Sequence, residues 1–148
     1  MPKIGDAGSL SKQMKKMNDR IQKFNDEGLD KFIEDLARKL AVRVLVHVIP
    51  STPVDTGVLR RGWGGGVEST PTQIANSTPV NKVGNTFTIL ISNNVEYALW
   101  VEYGHRTRGG NDWVGGKFML KISIEKVKMK SQSIIEKEFE KQLKRIFK

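Results

Sequence analysis

The chain has 148 residues, of which 38% are hydrophobic and 28% charged, and it carries a net charge of +9. That length is one domain's worth of chain, and the low apolar content predicts a small core with solvent-facing helices, as suits a subunit that finishes its burial against neighbours. The absence of cysteine excludes disulfides, thiolate zinc sites and a thiol nucleophile, and no apolar run approaches the roughly 18 residues of a membrane span.

The opening "MPKIGDAGSLSKQMKKM" lacks the apolar core of a signal peptide, so a soluble protein made in the cytoplasm is expected. Charge is unevenly placed. Residues 1–50 hold 10 basic and 7 acidic side chains, 51–116 hold 5 of each, and 117–148 hold 10 basic and 4 acidic. Two basic ends around a neutral middle permit attraction to a polyanion, although lysine-rich solvated helix faces give the same pattern.

Residues 9–25 predict a weak, strongly basic helix. Its apolar positions Leu10, Met14, Met17, Ile21 and Phe24 are too sparse to bury alone, and Ser9 or Ser11 could cap it. From Leu29, apolar residues fall at Phe32, Ile33, Leu36, Ala37, Leu40, Ala41, Val44, Leu45 and Val48. This is the 3.6-residue rhythm of one buried stripe. Gly28 precedes it, Asp30 and Glu34 suit the positive end of a helix, and Pro50 should stop it. The spacing predicts a helix over 29–48.

"TPVDTGVLRRGW" (52–63) follows. Pro53 biases Thr52 to an extended shape. Asp55 or Thr56 can cap the turn, Gly57 allows a tight backbone, and Leu59 can tuck under the core. Arg60 and Arg61 would then point outward, and Trp63 would begin a sheet. Residues 86–92 alternate Phe87, Ile89 and Ile91 with Thr86, Thr88, Leu90 and Ser92, which predicts a strand lying on the core. "KVGN" (82–85) reads as its hairpin turn, with a partner strand in 62–81 and Asn93-Asn94 closing the strand. Residues 95–103 fit either a short helix or a strand. "GHRTRGGNDWVGG" (104–116) reads as a Gly-rich loop. From about 117 a long, uneven helical stripe runs through Phe118, Ile122, Val127, Ile134, Ile135, Phe139, Leu143 and Ile146.

Catalytic signatures are thin. His47 sits among valines, as a structural histidine would. His105 lies beside Glu102 and Arg106, but no nucleophile motif accompanies it, so a small hydrolase centred on the pair is a distant reading. Two histidines, scattered carboxylates and no cysteine supply no metal-ligand spacing. The glycines at 64–66 and 109–116 lack the Lys-Ser/Thr that follows a phosphate loop. No catalytic residue, metal or cofactor is expected.

The two stretches "TPVDTGVLRRGW" and "ISNNVEYALWVEYGHRTRGGNDWVGGKFML", in this order with a hairpin between, resemble the paired signatures of the tail-completion, or head–tail joining, proteins of long-tailed bacteriophages. The matching positions are Pro53, Asp55, Thr56, Gly57, Leu59, Arg60 and Trp63, then Asn94, Tyr97, Ala98, Val101, Glu102, Tyr103, Gly104 and His105. The resemblance spans roughly 29–122. It implies an α+β fold; with the residue pattern above, this gives an amphipathic helix packed on a small antiparallel β-sheet, with a long basic C-terminal helix and a weaker N-terminal helix, the two ends (1–28 and 123–148) lying outside the signatures. One domain over 1–148 is expected, with a basic N-terminal extension (1–28), the family-like core (29–122) and a basic C-terminal helix (123–148).

The resemblance further implies a non-catalytic ring, sixfold or twelvefold, in the virion neck. It would sit between portal or connector proteins and the tail-tube or tail-terminator proteins after assembly in the host cytoplasm, with no membrane partner. Ring contacts are head-to-tail, and Trp100, Tyr103 and Trp113 are candidate anchors for them; Tyr97, Trp100 and Tyr103 could instead complete the chain's own core. If packaged DNA passes through the lumen, Arg106, Arg108, Lys126, Lys128 and Lys130 are the candidate DNA-facing residues. A free nucleic-acid-binding protein using its basic helices is the alternative.

Overall fold

The computed structural model describes residues 7–147; the first six residues of the expected N-terminal extension, and Lys148 at the end of the expected C-terminal helix, lie outside the described residues. The architecture is α+β and rich in helix. Helix α1 (Ala7–Lys23) passes through a single π-helical turn (Phe24–Gly28) into α2 (Leu29–Ser51). The expected break at Gly28 does not occur, because that glycine keeps right-handed helical angles and the Leu29 amide reaches back to Phe24 O, absorbing one extra residue. Ser9 and Ser11 lie inside α1, so neither caps it.

α2 outruns the expected end at Val48 by three residues. Pro50 sits in its last turn, where its missing N–H deprives only one carbonyl. The expected stripe is the buried one: Ala41, Val44, Leu45 and Val48 face inward. Short helices α3 (Val58–Gly62) and α4 (Pro71–Ser77) then occupy the span where a sheet and a partner strand were expected. α4 starts on a capping box, with the Gln73 amide donating to Thr70 Oγ1 and the Thr70 amide to Gln73 Oε1, and with Pro71 in the first helical turn.

Strands β1 (Val80–Val83) and β2 (Thr86–Ile89) form a hairpin as expected, in the register Val80 to Ile89, but its turn is only Gly84-Asn85: Lys82 and Val83, expected in the turn, pair within β1, which overlaps the expected partner span 62–81 only at its end. β2 stops short of Asn93-Asn94, and Phe87, Ile89 and Ile91 are half-buried while the residues between them are exposed. Residues 98–103 resolve to a helix, α5 (Ala98–Tyr103). The supposed Gly-rich loop is a second hairpin, β3 (Gly104–Arg106) against β4 (Trp113–Gly115), so the strands make two separate ribbons and not one sheet. The chain ends in α6 (Met119–Ile146).

Leu45, Val48, Leu59, Trp63 and Met119 form the core, flanked by Ile49, Ile74, Ile91, Val95 and Val101. α6 lies antiparallel to α2. Met119 meets Leu45 and Val48 at one end, and Phe139 meets Phe32 at the other, ring centroids 6.3 Å apart. Of the expected α6 stripe, Val127 and Ile134 are buried, whereas Phe118, Ile122, Ile135 and Phe139 stay more than a third exposed.

Midway along α2, Lys39 Nζ meets Glu138 Oε2 of α6 at 2.6 Å. That ammonium holds the Glu138 carboxyl below its ordinary value of 4.5. Because the folded-state value is depressed, the bridge stabilises the fold above about pH 4.5 and stops doing so as pH falls through the folded value. Lys39 is half-exposed, so solvent screening limits the effect to about 0.5–1 kcal/mol. Urea midpoints of the wild type and Glu138→Gln should therefore differ at pH 7 and draw together as the pH is lowered below 4.5.

Candidate structural joint and assembly face

A helix that ends beside two prolines has carbonyls to satisfy, and the stretch after α2 satisfies them in turn. The Thr52 amide turns to Ile49 O (3.2 Å), so the Thr52 hydroxyl takes its place and donates to Val48 O (2.7 Å). Ser51 Oγ donates to His47 O. Arg60 folds back across the helix end, with Nη2 donating to Pro50 O and Nε to Thr52 O, both at 3.0 Å. Its guanidinium thus sits at the negative end of the α2 dipole and does not point freely outward as expected.

Thr52, only 1% exposed, is the pivot. Its hydroxyl also accepts from the indole Nε1 of Trp63 at 2.9 Å, tying the end of α2 to the end of α3 inside the core. Trp63 therefore closes α3; it does not begin a sheet. Pro53 forces Thr52 into the extended geometry (φ −74°, ψ 126°) that allows this. The expected cap from Asp55 or Thr56 is absent. Both are exposed, and Gly57 begins α3 at φ +81°, a left-handed setting that favours glycine.

A second latch closes on α3 from residues 93–95. Asn93 Nδ2 donates to Leu59 O (2.8 Å), while Asn93 Oδ1 accepts from the Val95 amide (3.0 Å). The Asn94 amide donates to Gly62 O, but its side chain stands exposed. Gly62 must be glycine, since a Cβ there would run into the Asn93 carboxamide. Residue chemistry alone did not separate Asn93 from its neighbour.

Glu102 is buried at 6% exposure. Its carboxylate accepts from the Leu120 amide (3.0 Å) and the Lys121 amide (2.9 Å), which are unpaired donors of the first turn of α6. Its backbone carbonyl accepts from Phe118 N and that of Val101 from Lys117 N, so α5 grips the start of α6 at four points. Phe118, the residue before α6, is held at φ +48°, a costly setting for a non-glycine residue that these bonds enforce. Glu102 is committed to the helix end. His105 instead lies against Trp100, ring centroids 5.6 Å apart, with a buried Nδ1 that has no partner.

Of the other residues in this segment, Ala98 and Val101 pack against the core, and the large aromatic ones face outward. Trp100 is 62% exposed, Tyr103 60% and Trp113 62%, with Tyr97, Leu99 and Val114 also exposed nearby in the chain. The alternative in which Tyr97, Trp100 and Tyr103 complete the chain's own core does not hold. Trp100 stacks on His105, whereas Trp113 is the cross-strand partner of Arg106, so the two tryptophans flank the hairpin on different sides; single exposed apolar residues are ordinary, but two largely exposed tryptophans on adjoining elements make this segment a candidate interaction surface.

The basic candidates are all exposed but do not form one stripe. Lys126 and Lys130 share a face of α6, whereas Lys128 lies about 160° round from Lys130, by the helical repeat. Arg106 is in β3, and Arg108 lies in the loop between β3 and β4. Among the described residues, no cluster of His, Asp and Glu could hold a metal ion, and no helix is long and apolar enough to cross a membrane.

A family model described as "Bacteriophage HK97-gp10, putative tail-component" matches residues 15–104. The match begins within α1, earlier than the quoted signatures, and ends at Gly104. The joint and Glu102 lie inside it; His105, Trp113 and α6 lie beyond it. No curated protein and no solved structure matches the chain.

Proposed function

The chain belongs to the HK97-gp10-like family of bacteriophage tail components, and from that premise, which gives it a structural role in a virion, we propose that it is a neck-ring subunit. In this reading copies join head-to-tail into a closed ring that completes the tail end and couples it to the portal side of the head, without catalysis. The observation that carries the reading is the solvent exposure of three aromatic side chains, Trp100 and Tyr103 on α5 and Trp113 on the β3–β4 hairpin. Aromatic anchors of this kind supply most of the energy of an interface when a neighbour buries them. The exposed Arg106, Arg108, Lys126 and Lys130 then suit a lumen through which DNA phosphate passes, a contact that needs charge and no base readout.

Light scattering on nuclease-treated protein, together with imaging of particles lacking the chain, tests the proposal. The wild type should form a discrete oligomer that survives nuclease. Trp100→Ala with Trp113→Ala should shift its dissociation midpoint at least tenfold in concentration while leaving the helical circular dichroism unchanged. Particles lacking the chain should be DNA-filled heads beside unattached tails. Normal infectious virions without it would refute the neck role, and a chain that grows in size only when DNA is added would favour the nucleic-acid-binding alternative.

A further inference from the structure

A second surface shares no residue with the aromatic group. Between the first two thirds of α2, α4 and the second half of α6 lies an open groove of about 1000 Å³. It adjoins a hollow of about 590 Å³ beside the π turn, the two sharing Gly28, Gln142 and Arg145. Along α6 the groove begins at Ile134, 16 residues past Phe118, or about 24 Å at the helical rise.

Its chemistry is specific. Phe32, Leu36, Val42 and Ile134 give it apolar lining. Around them the two stretches are lined by eight Lys or Arg and three acidic residues. One of those acids, Glu138, is already paired with Lys39 and Lys141. Arg38 reaches Glu34 through Nη2 at 3.3 Å, but its Nη1 is buried without an acceptor. The excess of cationic over acidic side chains around an apolar lining suits a partner that carries carboxylates.

Shape narrows the occupant. The α2 wall from Gly28 to Arg43 is about 22 Å long, and the α6 wall from Ile134 to Ile146 about 18 Å. A helix of about four turns fits that length, with an apolar stripe facing the lining and acids on its flanks. Nucleic acid would use the charge but leave Phe32, Leu36, Val42 and Ile134 without matching surface. A second copy's helices are also poor occupants. α1 carries Lys12, Lys15, Lys16, Arg20 and Lys23 against Asp19, and α6 is likewise basic. We infer that this groove receives an acidic amphipathic helix of a different protein, a contact independent of whether the chain forms a ring.

Fluorescence anisotropy with a labelled 16-residue peptide, leucines at helical spacing flanked by glutamates, tests the assignment. Saturable binding of one peptide per chain is expected. Exposed Arg43 and Arg145, changed together to Glu, should weaken it at least tenfold. Lys126 and Lys130 changed together to Glu should alter it less than twofold, and a peptide with lysines in place of the glutamates should not bind. In the wild type, amide shifts on adding the acidic peptide should centre on Phe32, Arg38 and Ile134, a readout that needs no variant. Absence of saturable binding, equal loss from both charge-reversed pairs, or shifts elsewhere would each overturn the inference. So would a labelled 20-base-pair duplex that binds in the peptide's place and is lost with Arg43→Glu and Arg145→Glu.

Discussion

Trp63→Ala is expected to destabilise the chain by about 3–5 kcal/mol, the cost of removing a large buried aromatic side chain. Trp63 packs among Leu45, Val48, Leu59 and Met119, so its loss opens a cavity where α2, α3 and α6 meet. The indole nitrogen adds a polar component that a cavity alone does not carry. Thr52→Val keeps the shape, but leaves Trp63 Nε1 and Val48 O buried without their partner, and should cost about 1–3 kcal/mol. Trp63→Phe removes the donor with less loss of volume. If the indole–hydroxyl bond is what couples the two helices, Thr52→Val and Trp63→Phe should be non-additive in a double-mutant cycle of urea unfolding. A cost below about 1 kcal/mol for Trp63→Ala would mean that the bend after α2 is not the joint that fixes the fold.

The sequence announced α2 because its stripe is long and regular, and periodic burial is the strongest local signal a chain carries. The joint was legible as a bend, but not in its working parts. Thr52 owes its role to Trp63, eleven residues on, and Arg60 to carbonyls eight and ten residues behind it. No spacing rule ties a hydroxyl, an indole and a guanidinium together across a proline turn.

Within 62–81 the Thr residues suggest a strand, but a clearer sign of helix stands among them. Thr70-Pro71-Thr72-Gln73 is a capping box with Pro in the first turn, and it starts a helix. At Asn93-Asn94 the residue types were right, but only packing against Gly62 decides which carboxamide turns inward. The groove has no short-range signature at all, since Lys39 and Glu138 are 99 residues apart.

Glu102 carries the second large expectation. Its position beside His105 invites a catalytic reading, and its geometry argues for an architectural one: both oxygens face amide donors of α6. A carboxylate at a helix N-terminus is favoured by the dipole as well as by the bonds it accepts. Glu102→Ala strands the buried amides of Leu120 and Lys121, and should cost about 2–3 kcal/mol, within the range for a charged hydrogen-bonding group. Glu102→Gln retains one acceptor oxygen while losing the charge and should cost about half as much. The loss should be local first. α5 grips α6 only at its start, so hydrogen exchange should accelerate across residues 119–127 before it does so in α2. His105→Ala, by contrast, removes a ring stacked on an exposed tryptophan and should leave those amides protected. If instead Glu102→Ala left the α6 amides unchanged, the carboxylate would be free for some other task and the architectural reading of this motif would fail.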